Sequence, residues 1–170
     1  MADELEELYQ STYTAVVRYL YRKVWDADRA EDLAQEVFVR LLAHRPEKPR
    51  AWIFAVAANL ARDEARAAIR RRKHLTLLTN DHVTLVRPDA AADETMEHDE
   101  AMAQVNEALA ALSQRDREVL LLWDAGMSYQ EIAEQTGLAV GAVGTTLARA
   151  RRRLVEAHDQ NESGSHAARS

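Results

Sequence analysis

The sequence predicts an all-α protein built from two small helical domains, and three observations carry that expectation. The 170-residue chain has only 5 Gly, 3 Pro and 6% aromatic residues, while good helix formers (Ala, Leu, Glu, Arg) are abundant. Apolar residues recur at i, i+3, i+4 and i+7 through most of its length, the spacing of a buried helical face. That periodicity fails once, after Leu75. From Pro88 to Glu100 the chain is acidic and Ala-rich (Asp89, Asp93, Glu94, Glu97, Asp99, Glu100), too poor in apolar surface to bury itself. The expected division is therefore a domain over 1–75, a flexible linker over 76–100, a second domain over 101–158 and a polar, disordered tail over 159–170.

The first domain opens with Leu5, Leu8, Tyr9, Thr12, Tyr13, Val16, Val17, Leu20, Tyr21 and Val24, a long amphipathic helix with a wide apolar face. The chain breaks at Trp25–Asp28, where Asp28 is placed to cap a second helix that buries Ala30, Leu33, Ala34, Val37, Phe38, Leu41 and Leu42. The opposite face of this helix carries Glu31, Asp32, Gln35, Glu36 and Arg40. Acid in a first turn suits the helix dipole, and it also suits a basic partner; the residues alone leave both readings open. Pro46 and Pro49 then bracket a loop. A third helix starts near Arg50 and is expected to bury Trp52, Ile53, Val56, Ala57, Leu60, Ala65 and Ala68. Its far end carries Arg62, Arg66, Arg70, Arg71, Arg72 and Lys73 against Asp63 and Glu64. A basic run at a helix C-terminus suits the dipole in any case; with Trp52 and Asn59 upstream it also reads as a nucleic-acid surface with an aromatic for stacking, although Trp52 alone is more often core than platform.

Beyond the linker, one helix is expected around Ala101, Val105, Ala108, Leu109 and Leu112. A break at Ser113 separates it from another, around Val119, Leu120, Leu122 and Trp123, that stops at Gly126. Ser128 and Glu131 have capping-box spacing. A short helix carrying Ile132 and Ala133 ends at Gly137, which offers the positive φ of a tight turn. The next helix places Val143, Leu147, Ala150 and Leu154 on one stripe. Cap, small crossing residue, turn Gly and a basic second helix coincide, which favours a DNA-binding helix-turn-helix over an ordinary αα-hairpin. Its first turns would present Ala142, Thr145, Thr146 and Arg149 to the major groove, with Arg152 in the basic end behind them.

Composition narrows the classes further. A net charge of −6 is unusual for a DNA binder and requires acid and base to be segregated along the chain. With no Cys there is no disulfide or thiolate metal site. His82 and His98 lack a recurring ligand spacing, so neither metal nor cofactor is expected. No Gly-rich phosphate loop or nucleophile–base pair suggests an enzyme. The start, MADELEEL, is unlike a signal peptide, and no apolar run approaches membrane-spanning length, so the expected location is the cytoplasm.

Taken in order, three motifs resemble the bacterial RNA polymerase sigma factors of the small extracytoplasmic-function (ECF) type in the sigma-70 family. They are Arg29–Phe38 (RAEDLAQEVF), Trp52–Asn59 (WIFAVAAN) running on to the basic Arg70–Lys73, and Ser128–Arg151. The resemblance implies that Glu31, Asp32, Gln35 and Glu36 meet the β′ clamp helices of core RNA polymerase, with the β subunit as a further contact. It implies that Trp52, Asn59, Arg62, Asp63, Arg66 and Arg70 handle the minus-10 element, where an amide can hold an unstacked base. Ala142, Thr145, Thr146, Arg149 and Arg152 would read the minus-35 duplex. It further implies an anti-sigma factor as partner, a monomer in the absence of polymerase, and a linker that threads the polymerase cleft. Where the family usually carries a basic residue, Ser and Arg, this chain has Gly144, Thr145 and Thr146, which predicts weak minus-35 binding. A stand-alone helix-turn-helix regulator leaves the acidic face and the Trp52–Arg72 helix without a role. A sigma-like decoy for an anti-sigma factor would ordinarily carry a receiver domain.

Overall fold

The structure is a computed structural model that describes residues 2–78 and 96–167. Among these the chain is all-α: α1 (Ala2–Val24), α2 (Ala27–His44), α3 (Pro49–Leu78), α4 (Met96–Ala110), α5 (Gln114–Asp124), α6 (Tyr129–Thr136) and α7 (Val140–Ala167). Contacts divide it into two compact units, Met1–Val83 with Leu121–Glu131, and Thr84–Leu120 with Ile132–Ser170. Leu121–Glu131 joins the first unit because Arg50 Nη2 donates to the carbonyls of Ala125 (2.9 Å) and Gly126 (3.1 Å), and Arg18 pairs with Asp124 at 3.1 Å.

In the first unit, local chemistry sets each helix end. Trp25 takes φ 58°, and its N–H still reaches the Tyr21 carbonyl (2.9 Å), so α1 closes before the chain turns. The cap of α2 is Asp26, whose side chain accepts from the Arg29 N–H at 3.0 Å. Asp28, expected in that role, sits inside the first turn, where the dipole still favours it. Arg45 ends α2 in the left-handed region (φ 41°) with Pro46 directly after it.

The buried apolar side chains of the three helices of this unit are Val16, Tyr19 and Leu20 from α1, Ala30, Leu33, Ala34, Val37, Phe38 and Leu41 from α2, and Ile53, Phe54, Ala57, Ala58, Leu60 and Ala61 from α3; Leu121, Leu122, Ala125 and Met127 of the added segment are buried too. Tyr19 meets Phe54 edge-on, centroids 5.5 Å apart. Leu42, expected inside, is 58% exposed. Trp52 and Val56 are only half-buried, and Ala65 and Ala68 are exposed. Alanine offers too little apolar area to fix a face by itself, so the two distant alanines of α3 carried no phase information.

In the second unit the buried apolar side chains are Ala108 and Leu109 of α4, Leu112 in the turn that follows it, Val119 and Leu120 of α5, Ile132 and Ala133 of α6, and Val143, Leu147 and Ala150 of α7. Residues 76–78 belong to α3 and 96–100 to α4; the remainder of the expected linker lies outside the described residues. Helix α7 continues to Ala167, so 159–167 is helical rather than a disordered tail. The segment has no Pro, and its single Gly164 costs only about 1 kcal/mol against Ala, too little to stop a helix already propagating.

Candidate functional site

The helix-turn-helix is built as its sequence suggests. Ser128 Oγ accepts from the Glu131 N–H (3.2 Å) while Glu131 Oε2 accepts from the Ser128 N–H (2.8 Å), completing the capping box. Gly137, at φ 73°, turns the chain after α6, and its N–H reaches the Ala133 carbonyl at 2.9 Å. The stripe Val143, Leu147 and Ala150 buries α7, with Leu154 half-buried at its end. That fixes the face it leaves outside: Gly141, Thr145, Ala148 and Arg152, spaced i, i+4, i+7 and i+11, are all exposed.

Of the residues expected on that face, Thr145 is exposed and Ala142 half-buried. Thr146 is only 5% exposed, so it cannot reach a base or phosphate. It lies at the edge of the inward stripe, beside Val143 and Ala150. Arg152 is 71% exposed and stands 3.8 Å from Glu156.

Arg149 is bound internally: Nη2 (2.7 Å) and Nε (3.2 Å) both donate to Oδ1 of Asp116, while Arg153 Nη1 donates to Oδ2 (2.7 Å). Asp116 is 0% exposed and sits in the first turn of α5, its N–H donating to the Ser113 Oγ cap (3.1 Å). The hydrogen bonds from Arg149, with the one from Arg153 behind them, hold the Asp116 carboxyl below its ordinary value against the opposing effect of burial. Sequence reasoning passed over Asp116, because an acid in a first turn already has a dipole explanation.

On α3, about 100° of rotation per residue brings Trp52, Asn59, Arg62, Asp63, Arg66 and Arg70 into an arc of roughly 100°. These residues, chosen by motif, therefore share one side of the helix over about 27 Å. Asn59 is exposed, and its Oδ1 accepts from Arg62 Nη1 at 3.0 Å, which orients the amide with its Nδ2 hydrogens uninvolved in that bond. Arg66 lies 3.9 Å from Asp63, both well exposed. The half-buried Trp52 ring stacks on His44, centroids 5.4 Å apart at 23°. Sequence reasoning missed His44, because a His in the last turn of a helix already has a dipole explanation. Its place two residues before Pro46, where the chain must leave α2, was the available hint.

Glu64 and Arg71 lie to one side of that arc. Glu64 accepts from Arg29 of α2 (2.7 Å) and from Arg71 (3.3 Å), and its side chain is 17% exposed. The Arg29 bond, then the Arg71 bond, hold its carboxyl below the usual range although burial opposes this. On α2, Glu31, Asp32, Gln35 and Glu36 are all exposed, with Glu36 paired to Arg40. Val39 (64% exposed) and Leu42 extend the same side of the helix with apolar surface.

Comparison with known proteins decides the family. The family models for Sigma-70 region 2 and Sigma-70 region 4 match residues 8–73 and 102–154. The RNA polymerase sigma factor YlaC of Bacillus subtilis is 30% identical over 165 residues, spanning 89% of this chain and 90% of YlaC. The chain belongs to the ECF sigma-70 family. The ECF sigma factor SigL of Mycobacterium tuberculosis is 32% identical over 151 residues, spanning 84% and 82% of the two chains. Two solved structures share the fold at 23% identity. CnrH, in complex with the cytosolic domain of CnrY, has a TM-score of 0.67 and covers 94% of this chain and 90% of its own. RpoE of Bartonella quintana, in complex with the anti-sigma factor NepR, has a TM-score of 0.59 and covers 92% and 97%. The protein is an RNA polymerase sigma factor, directing core polymerase to promoters for initiation. Among the described residues no helix is long and apolar enough to cross a membrane. His158, Asp159 and Glu162 bring possible ligand atoms within 4.8 Å of one another on α7, a grouping that helical spacing alone produces, and we assign it no role.

Proposed function

We propose that this sigma factor divides its contacts by helix. The exposed acids of α2 (Glu31, Asp32, Glu36, with Gln35) dock on the β′ clamp helices. The α3 face from Trp52 to Arg70 holds the minus-10 strand, with Asn59 on an unstacked base. The α7 face, chiefly Thr145 and Arg152 beside Ala142, meets the minus-35 duplex. The observation that carries this reading is the α3 arc, in which an oriented amide lies among exposed arginines on a single side. An anti-sigma partner is supported by the complex that RpoE forms with NepR. The chain works in the cytoplasm beside core polymerase and supplies binding rather than catalysis.

Run-off transcription with core enzyme on a random promoter library tests the reading. Asn59→Ala should lose open-complex formation while keeping core binding, whereas Asp32→Lys with Glu36→Lys should lose core binding first. Equal transcription by all of these proteins would overturn the assignments.

A further inference from the structure

The basic surface of α7 is smaller than its sequence suggests. Gly144 carries no charge, Thr146 is buried, and two arginines one turn apart, Arg149 and Arg153, end on the same carboxylate. Asp116 uses both oxygens, one for each guanidinium. A buried carboxylate needs such partners, since leaving it unpaired is far costlier than pairing it. Each arginine in turn has donors directed inward, although 42% of the Arg149 side chain and 50% of the Arg153 side chain remain exposed. Arg152, between them in sequence, is turned about 60° from Arg149 and about 100° from Arg153 around the helix. It is 71% exposed.

We infer that Asp116 is a positioning residue that sets the duplex affinity of this sigma factor, by withholding Arg149 and Arg153 from DNA phosphates. The inference rests on the reading of α7 as the duplex-binding helix. An arginine on a phosphate releases counterion and steepens the fall of log K with log salt by about 0.9. An arginine held on Asp116 contributes nothing to that slope. The buried acid thus acts as a fixed internal competitor for phosphate, and duplex binding is left to the exposed basic residues it does not hold, Arg152 among them, and the polar groups around Thr145.

The test is the salt dependence of binding by the full chain to a generic fluorescent duplex, followed by anisotropy. Arg152→Gln should flatten the slope by about 0.9, and Arg153→Gln should leave it unchanged. Asp116→Asn should steepen it by about 1–2 as the two arginines are released. A merely structural role for Asp116 would not raise the number of phosphate contacts. Flattening by Arg153→Gln overturns the inference and leaves the duplex reading standing, and this arm does not depend on the Asp116 variant folding. An unchanged slope in a folded Asp116→Asn protein overturns it as well. If Arg152→Gln also has no effect, the reading of α7 itself fails.

Discussion

Glu64→Gln should destabilise the first unit in a way that depends on pH. Gln keeps the shape and one carbonyl acceptor but loses the charge that gathers Arg29 and Arg71. A hydrogen bond to a charged group contributes about 1.5–3 kcal/mol when sheltered and about 0–1 when exposed. The Glu64 side chain is 17% exposed but its partners are 43% and 65% exposed, which places the pair near the lower range. A loss of about 1 kcal/mol lowers Tm by about 4–8 °C in a domain of this size. The folded-state carboxyl is held below its ordinary 4.5, so its contribution is fully present above that value and disappears as pH falls through the lower folded value. Thermal melts of wild type and variant by circular dichroism should therefore differ at pH 7 and converge in acid, where both side chains are neutral. A gap of constant size across that range, or none at pH 7, would refute the reasoning.

Ser128→Ala removes one half of the capping box and should cost about 1 kcal/mol, measured by urea titration. Phe54→Ala empties a fully buried site in the first unit and should cost about 3–5 kcal/mol, seen as early loss of helical signal. On α7, Thr145→Arg should fold normally and steepen the salt slope of duplex binding by about 0.9. Thr146→Arg should instead destabilise the protein, because it forces a charge onto the buried stripe; equal behaviour of the two variants would contradict the face assignment.

Fold class and the motif helices were legible because large apolar residues at helical spacing define a face with little ambiguity: Leu33, Val37, Phe38 and Leu41 on α2 are all buried as expected. Phase was less secure where small residues dominate. Ala65 and Ala68 fell outside, and Thr146 fell inside, because neither Ala nor Thr has the apolar area to decide its own orientation. Side-chain partnerships were not legible at all. Asp116 and Arg149 are 33 positions apart, as Glu64 and Arg29 are 35 apart, and no local spacing rule reports a pair brought together by tertiary packing.

Those two partnerships bear on how a chain of net charge −6 handles DNA. Each is a sheltered carboxylate that collects two arginines, so Arg29, Arg71, Arg149 and Arg153 are already engaged within the protein. Of the arginines expected on DNA, Arg62, Arg66 and Arg70 stay on the outer face of α3 and Arg152 on that of α7. The long-range field of the acidic chain opposes even these at low salt. Such a protein should hold duplex DNA poorly by itself and gain its grip only when core polymerase adds its own contacts. In the proposed reading the acidic face of α2 serves the same end as the internal pairs, since it directs the chain to the enzyme before it reaches the promoter.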